Sequence, residues 1–299
     1  MDLLWFLEGI RSPFLDGAFG AITRLGEEII LIVLFCVLFW CVNKRMAYVM
    51  GVSFFLSSLL VQGAKIVFRV DRPWVADPTF TPVGGATRMA TGYAFPSGHT
   101  QNAAALLGSL GAQVPSKAGK AILFTLVLLV AISRLYLGVH FLSDVVVSLV
   151  ITFLVILFAS KVVAEEAESK RRELLLALFI ASIAVLVIAV ATVLYHQGTT
   201  APDQLRDSVR AAGAAIGFAT GMYIERMHIK FSVRAKNIPM QIVKVILGII
   251  VLVVIQEGVR LIGTGLVVDT VRYFLMVIWL TLIYPLIIKR YFAVQEHAA

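Results

Sequence analysis

Long apolar runs separated by short polar links make up most of this 299-residue chain. A helix needs about 20 apolar residues to cross a bilayer, fewer where its ends are covered by protein. On that measure the pattern predicts nine membrane-crossing helices, at 28–42, 46–68, 97–114, 118–137, 140–163, 174–194, 209–224, 239–262 and 271–288. The first, third and seventh are short. The expected fold is therefore all-α, a polytopic transmembrane helical bundle of about nine spans. Ahead of it stands "MDLLWFLEGIRSPFLDGAFGAITRLGEE", whose apolar residues are broken by Arg11, Pro13 and Asp16. That pattern suits an interfacial amphipathic segment. With no basic start, and with Asp2 and Glu8, it is unlike a cleaved signal peptide.

Composition strengthens this reading. Hydrophobic residues make up 60% of the chain and charged residues only 15%, against about 25% charged in soluble domains. Mean hydropathy is +0.92. A soluble globular protein is excluded. The formal net charge of +8 does not point to nucleic acid, because no Lys/Arg-rich tract is interleaved with aromatics. The basic residues instead sit in the links. With nine spans, one side of the membrane collects Lys44 and Arg45, then Lys117 and Lys120, then Lys161, Lys170, Arg171 and Arg172. It goes on to collect Arg226, Lys230, Arg234 and Lys236, and last Lys289 and Arg290. Basic links mark the cytoplasmic side, which puts the C-terminus there and makes the plasma membrane the expected location. Cys36 and Cys41, the only cysteines, stand about 140° apart on a helix and suit neither a disulfide nor a metal.

Three polar clusters interrupt the apolar background, all at expected extracytoplasmic ends of spans. They are "KIVFRVDRP" (65–73), "PSGH" (96–99) and "SRLYLGVHFLSD" (133–144). Lys65, Arg72 and Arg134 bring three cations to one membrane face, where each is costly unless paired or used. Asp71, Asp77 and Asp144 are candidate partners, but a phosphate satisfies planar guanidinium donors better. Pro96 fits a first helical turn, and Ser97 and Gly98 then offer backbone N–H groups to an anion. His140 and Asp144, four residues apart, share one helix face. A carboxylate on one imidazole nitrogen leaves the other basic and nucleophilic. His99, beside the anion cradle, is placed to protonate a leaving oxygen.

The spacing K-x6-R-P, P-S-G-H, S-R-x5-H-x3-D resembles the three-part signature of the type-2 phosphatidic-acid phosphatase superfamily. Lys65, Arg72, Pro73, Pro96, Ser97, Gly98, His99, Ser133, Arg134, His140 and Asp144 carry it. The resemblance implies a metal-independent membrane phosphatase without cofactor. His140 would form a phosphohistidine, Asp144 would orient it, and His99 would protonate the leaving group and then help activate water. Lys65, Arg72, Ser97, Gly98 and Arg134 would hold the phosphoryl oxygens. The implied substrate is a membrane lipid phosphate or diphosphate: phosphatidate, phosphatidylglycerol phosphate, a prenyl diphosphate or a sphingoid-base phosphate. A phosphoryl transferase or a transporter of phosphate compounds is the alternative use of such a cradle. Nine spans with an outside N-terminus also resemble the glucose-6-phosphatase and sphingosine-phosphate phosphatase branches.

Residues 1–165 are the expected phosphatase core, and 166–299 a four-span extension without the signature. In that extension Glu257, Arg260, Asp269 and Arg272 are expected to pair with one another. Gly213, Gly217 and Gly221 form small-xxx-small steps that allow close helix approach. Trp74, Phe95 and Tyr136 flank the clusters, either lining a lipid-chain entrance or sitting as interfacial aromatics.

Overall fold

The computed structural model describes residues 1–165, 167 and 169–292, and its regular elements are all helices. In chain order they are α1 (Asp2–Gly9), α2 (Pro13–Thr23), α3 (Glu28–Val37, continued by a π turn Leu38–Val42), α4 (Lys44–Phe68) and the short α5 (Pro73–Ala76). Next come α6 (Gly98–Ala103), which passes through a π turn (Ala104–Gly108) into α7 (Ser109–Gln113), then α8 (Lys117–Tyr136) and α9 (Leu142–Val162). The last are α10 (Lys170–His196), α11 (Pro202–Ile224), α12 (Ile238–Ile262), α13 (Leu266–Ile278) and α14 (Tyr284–Ile287). Short polar side chains start many of them, each accepting a backbone N–H of the first turn. Asn43 caps α4, Ser116 α8, Ser169 α10 and Asn237 α12.

The expected nine spans are not what folds. Among the described residues six helices are long and apolar enough to cross a membrane: Lys44–Ala76, Lys117–Tyr136, Leu142–Val162, Lys170–His196, Ile238–Ile262 and Leu266–Phe292. A seventh results if Pro13–Gly26 and Glu28–Val42, bent 49° to each other, count as one. The differences have local causes. At 1.5 Å per residue, the helical run 98–113 is only about 24 Å long, short of a hydrocarbon core of roughly 30 Å. It is enclosed by α4, α8 and α9 instead. Helix α11 carries Asp203, Arg206, Asp207 and Arg210 in its first turns, which lowers its hydropathy. It too is a core helix, packed on α10, α13 and α4.

The N-terminal segment is docked on protein. Helix α2 lies along α8. Tyr136, expected near a lipid entrance or interface, is buried and donates its hydroxyl to Asp16 (2.7 Å). The glycine steps on α11 pack as their spacing predicts. A Cβ at Gly213 or Gly217 would stand 2.5 Å from the Thr270 carbonyl oxygen or 2.8 Å from that of Phe274, so α13 lies directly on these glycines. The expected cytoplasmic C-terminus falls on 293–299, outside the described residues.

Candidate active site

The three clusters converge where α4, α6 and α8 end or begin. Lys65 is one turn from the end of α4, whose C-cap Arg69 turns the chain with φ 49°. Arg72 is the N-cap of α5, with Pro73 fixing the first turn. Ser97, not Pro96, starts α6: its Oγ accepts from the Thr100 amide (3.4 Å) and the Thr100 hydroxyl (3.0 Å). Pro96 lies one residue outside the helix. Gly98 has open space where a Cβ would stand.

His140 and Asp144 meet, though not on one helix face. His140 lies in the turn before α9, and Asp144 occupies the helix's third position. Its Oδ2 accepts from the Phe141 amide (2.8 Å), a bond that returns an acid to the helix start. The same oxygen stands 3.2 Å from His140 Nδ1. The opposite ring nitrogen, Nε2, is 2.9 Å from Arg72 Nη1. A guanidinium only donates, so Nε2 carries the lone pair and Nδ1 the proton. Burial, and then the charges of Arg72, Arg134 and Lys65, push the His140 pKa well below that of a free imidazole. The ring is thus neutral, oriented by a carboxylate, and holds its lone pair on Nε2.

Arg72 is held on three further sides. Its Nη2 donates to Thr91 O (2.6 Å), Nε to Gly92 O (3.1 Å) and Nη1 to Val139 O (3.0 Å). Lys65 donates to the next carbonyl, that of Tyr93. Arg134 donates through Nη1 to the Thr23 hydroxyl (2.7 Å). Its Nε and Nη2 are buried and have no partner among the described residues. Lys65, Arg72 and Arg134 are only 6%, 6% and 2% exposed, and among the described residues none of them bonds to a carboxylate; the buried Asp144 is bonded to His140 and the Phe141 amide. The expected partners Asp71 and Asp77 do not serve: Asp71 is exposed, and Asp77 accepts from Thr79 in its own turn. Positive charge therefore exceeds negative charge in a buried site, the situation an anionic ligand resolves.

Two further placements complete the site. The His99 ring makes no hydrogen bond among the described residues, while its backbone is pressed against the N-terminal segment. A Cβ at Gly26 would come within 2.7 Å of the His99 carbonyl oxygen. Ser133 bonds back to Val130 O (2.6 Å) within α8 and serves the helix. Thr23 and the carbonyls of residues 91–93 are parts of the site that the sequence reading missed.

The fold and site define an all-helical membrane protein with a buried histidine–carboxylate pair among cations that lack a counter-anion. Comparison with known proteins places it further. The family model described as the PAP2 superfamily matches residues 44–168, and a second, described as a PAP2 superfamily phosphatase transmembrane extension, matches residues 209–296. Phosphatidylglycerophosphatase B of Bacillus subtilis (strain 168) is 31% identical over 169 residues, covering 51% of this chain and 79% of that protein. The chain belongs to the PAP2 superfamily of membrane phosphatases. Among solved structures it is similar to LpxE of Aquifex aeolicus, at 28% identity over 54% of this chain and 93% of that one, with a TM-score of 0.49. It is also similar to the first transmembrane PAP2-type phosphatidylglycerolphosphate phosphatase from Bacillus subtilis, at 30% identity over 54% and 84%, with a TM-score of 0.42.

Proposed function

We propose that this protein hydrolyses a lipid phosphate or diphosphate through a phosphohistidine on His140, without a metal ion. The observation that carries the reading is Arg134: a buried guanidinium with two unused donors, beside two other buried cations and a neutral, oriented imidazole. Phosphate oxygens match those donors. In the first step the Nε2 lone pair of His140 forms a bond to phosphorus, and the bond from phosphorus to the leaving oxygen breaks. Arg72 Nη1, now on Nε2, shifts to a phosphoryl oxygen. Asp144 stabilises the imidazole as it becomes cationic. In the free site burial and the charges of Arg134, Arg72 and Lys65 hold the His99 pKa down to about 3. The anionic substrate offsets those charges, and His99 takes up a proton as the substrate binds and gives that proton to the leaving oxygen. In the second step His99 takes a proton from water, the water oxygen bonds phosphorus, and the phosphorus–Nε2 bond breaks. Lys65, Arg72, Arg134, the Ser97 hydroxyl and the Gly98 amide stabilise the charge spread over the phosphoryl oxygens. The Ser97 amide, expected to face the anion, is instead bonded to the Asp144 carbonyl (3.1 Å). The cations supply the positive field that a metal supplies elsewhere.

The position of the site at helix ends favours a substrate anchored in the bilayer, and the relatives include a phosphatidylglycerophosphatase. Residues 1–165 serve as the catalytic core. The opposite end of the bundle supports an extracytoplasmic site. Hydrogen bonds there join Arg45 to Val163 O and Ser160 O, Arg172 to Lys161 O, Arg226 to Glu173 and Lys289 to Ile229 O. The basic links thus gather away from the site, as the positive-inside rule asks of a cytoplasmic face.

The test is phosphate release by purified protein in detergent, with EDTA present, over phosphatidate, phosphatidylglycerol phosphate, a prenyl diphosphate and a sphingoid-base phosphate. Wild type should turn over at least one and form an acid-labile phosphoprotein. His140→Ala should do neither. Normal release by His140→Ala overturns the mechanism, and strict dependence on an added divalent ion overturns metal independence. Transfer of phosphoryl to an acceptor other than water, or transport without release, selects the alternative use of the cradle. Sidedness has its own test in a background lacking Cys36 and Cys41. Gln197→Cys, exposed after α10, should react with impermeant maleimide from outside intact cells, and Ser169→Cys should not. The reverse pattern puts the site in the cytoplasm.

A further inference from the structure

The segment 91–93 faces two ways. Its backbone carbonyls take the bonds of Arg72 Nη2 (2.6 Å), Arg72 Nε (3.1 Å) and the Lys65 ammonium. The Ala94 amide ties the next residue to Val70 O (2.8 Å), so the segment lies along the chain that carries both cations. Its other side meets the C-terminal extension. The Thr91 hydroxyl donates to Asp207 Oδ2 (2.9 Å), and the Tyr93 hydroxyl to Thr199 O (3.5 Å). Gly92 takes a left-handed φ of 59°, and a Cβ there would stand 2.6 Å from Gln204 Oε1. Gln204 is itself buried and donates to Gln62 on α4 (2.6 Å). Asp207 is backed by Arg210 (3.7 Å), and Arg210, Arg206 and Arg272 all converge on Asp269.

We propose that the C-terminal extension forms one wall of the active site, with Asp207 and Gln204 as positioning residues that act through residues 91–93 to aim Arg72 at the phosphoryl group. The inference rests on the phosphatase reading above. Two of the three donor atoms of Arg72, Nε and Nη2, are fixed by carbonyls 91 and 92, and this sets the plane in which Nη1 reaches His140 Nε2, the attacking atom. If Asp207 lets go of Thr91, the carbonyls drift and the guanidinium turns out of line. Such a fault weakens stabilisation of charge developing in the transition state. Ground-state binding, shared with Lys65 and Arg134, is affected less.

The experiment is a double-mutant cycle in the full-length protein. Asp207→Ala and Thr91→Ala should each lower kcat about fivefold, the size of one ordinary hydrogen bond, with KM changed less than twofold. The double variant should be no worse than either single. Asp207→Asn, which still accepts from Thr91, should keep near-wild-type kcat. Gln204→Ala, which removes the side chain against Gly92, should lower kcat in the same way. Each variant is melted alongside, and the kcat pattern should hold at temperatures well below every melting point. Losses that multiply in the double variant, a loss carried by KM, or an Asp207→Asn as impaired as Asp207→Ala would overturn the inference. So would unchanged kinetics in all the variants while wild type turns over and His140→Ala does not. A wild type that releases no phosphate from any substrate of the panel overturns the phosphatase reading itself, and this inference with it.

Discussion

Charged groups are buried at both ends of this bundle, and the two ends treat most of them oppositely. At the end bearing the basic links, Glu225 accepts from Lys44 Nζ (2.7 Å), the Phe231 amide (3.2 Å) and the Tyr48 hydroxyl. Arg226 forms a two-bonded pair with Glu173 at 2.8 and 2.9 Å and also donates to Ala164 O (3.1 Å). Each of these charges has an opposite charge against it. At the other end Lys65, Arg72 and Arg134 lean on backbone carbonyls and one hydroxyl, and two donors of Arg134 have nothing. Burial of charge therefore does not by itself mark a functional site. Burial without an opposite charge is not enough either, since Lys244 near the basic-link end is fully buried and rests on the Val233 carbonyl (2.9 Å). Three such cations gathered beside unused guanidinium donors do mark one, because desolvation there is not offset until a ligand arrives.

The comparison breaks first on stability. Arg226→Ala leaves Glu173 buried beside a vacated place, and breaking such a pair costs about 3–5 kcal/mol. Thermal unfolding in detergent should show a large loss, while kcat per folded molecule stays within about twofold of wild type, since no group of the site is touched. A strongly reduced kcat in protein that is still folded would falsify the division between the two ends.

The second break is the mirror image. Arg134→Gln keeps most of the side chain's volume and removes a buried charge that no carboxylate balances. Stability should hold or rise. Turnover should fall by about 10²–10³, the usual effect of losing one donor that stabilises transition-state charge. Loss of stability comparable to that of Arg226→Ala, with turnover intact, would mean that Arg134 is structural and that its free donors serve no ligand.

Much of the site was legible in the sequence because its spacing is rigid. Lys65 and Arg72 bracket one helix end, Ser97 starts a helix, and Asp144 sits four residues after His140, so local geometry brings each near its partner. What stayed hidden is of two kinds. Backbone carbonyls have no side-chain identity, so nothing in "TGY" announces that Thr91, Gly92 and Tyr93 hold the cations. Thr23 reaches Arg134 across 111 residues of chain, a distance that residue spacing does not encode. The span count failed for a related reason. Hydropathy reports that a helix is kept from water, not whether lipid or protein covers it, so a helix enclosed by protein such as 98–113 passes for one facing lipid until its length is compared with the membrane. The polar residues of the extension pair as expected: Arg260 lies 3.2 Å from Glu257 and Arg272 2.7 Å from Asp269. The sequence did not reveal that the second pair belongs to a network reaching Asp207.

That last difference gives the smallest effect and a fine test of where the wall of the site ends. Glu257 and Arg260 pair on α12 with side chains 58% and 55% exposed, and among the described residues neither bonds to anything leading towards His140. Exposed pairs contribute about 0–1 kcal/mol. Glu257→Gln and Arg260→Gln remove charge with little change of shape. Each should shift the unfolding midpoint slightly and leave kcat and the ratio of kcat/KM between two lipid phosphates as in wild type. Asp269→Asn, by contrast, loosens Arg206, Arg210 and Arg272 together and should lower kcat in the manner of Asp207→Ala, more weakly because it acts one contact further out. If Glu257→Gln changes the substrate ratio tenfold, about 1.4 kcal/mol of differential transition-state binding, in protein of normal stability, then the substrate reaches α12 and the wall extends beyond α11. If Asp269→Asn is silent, the wall stops at Asp207.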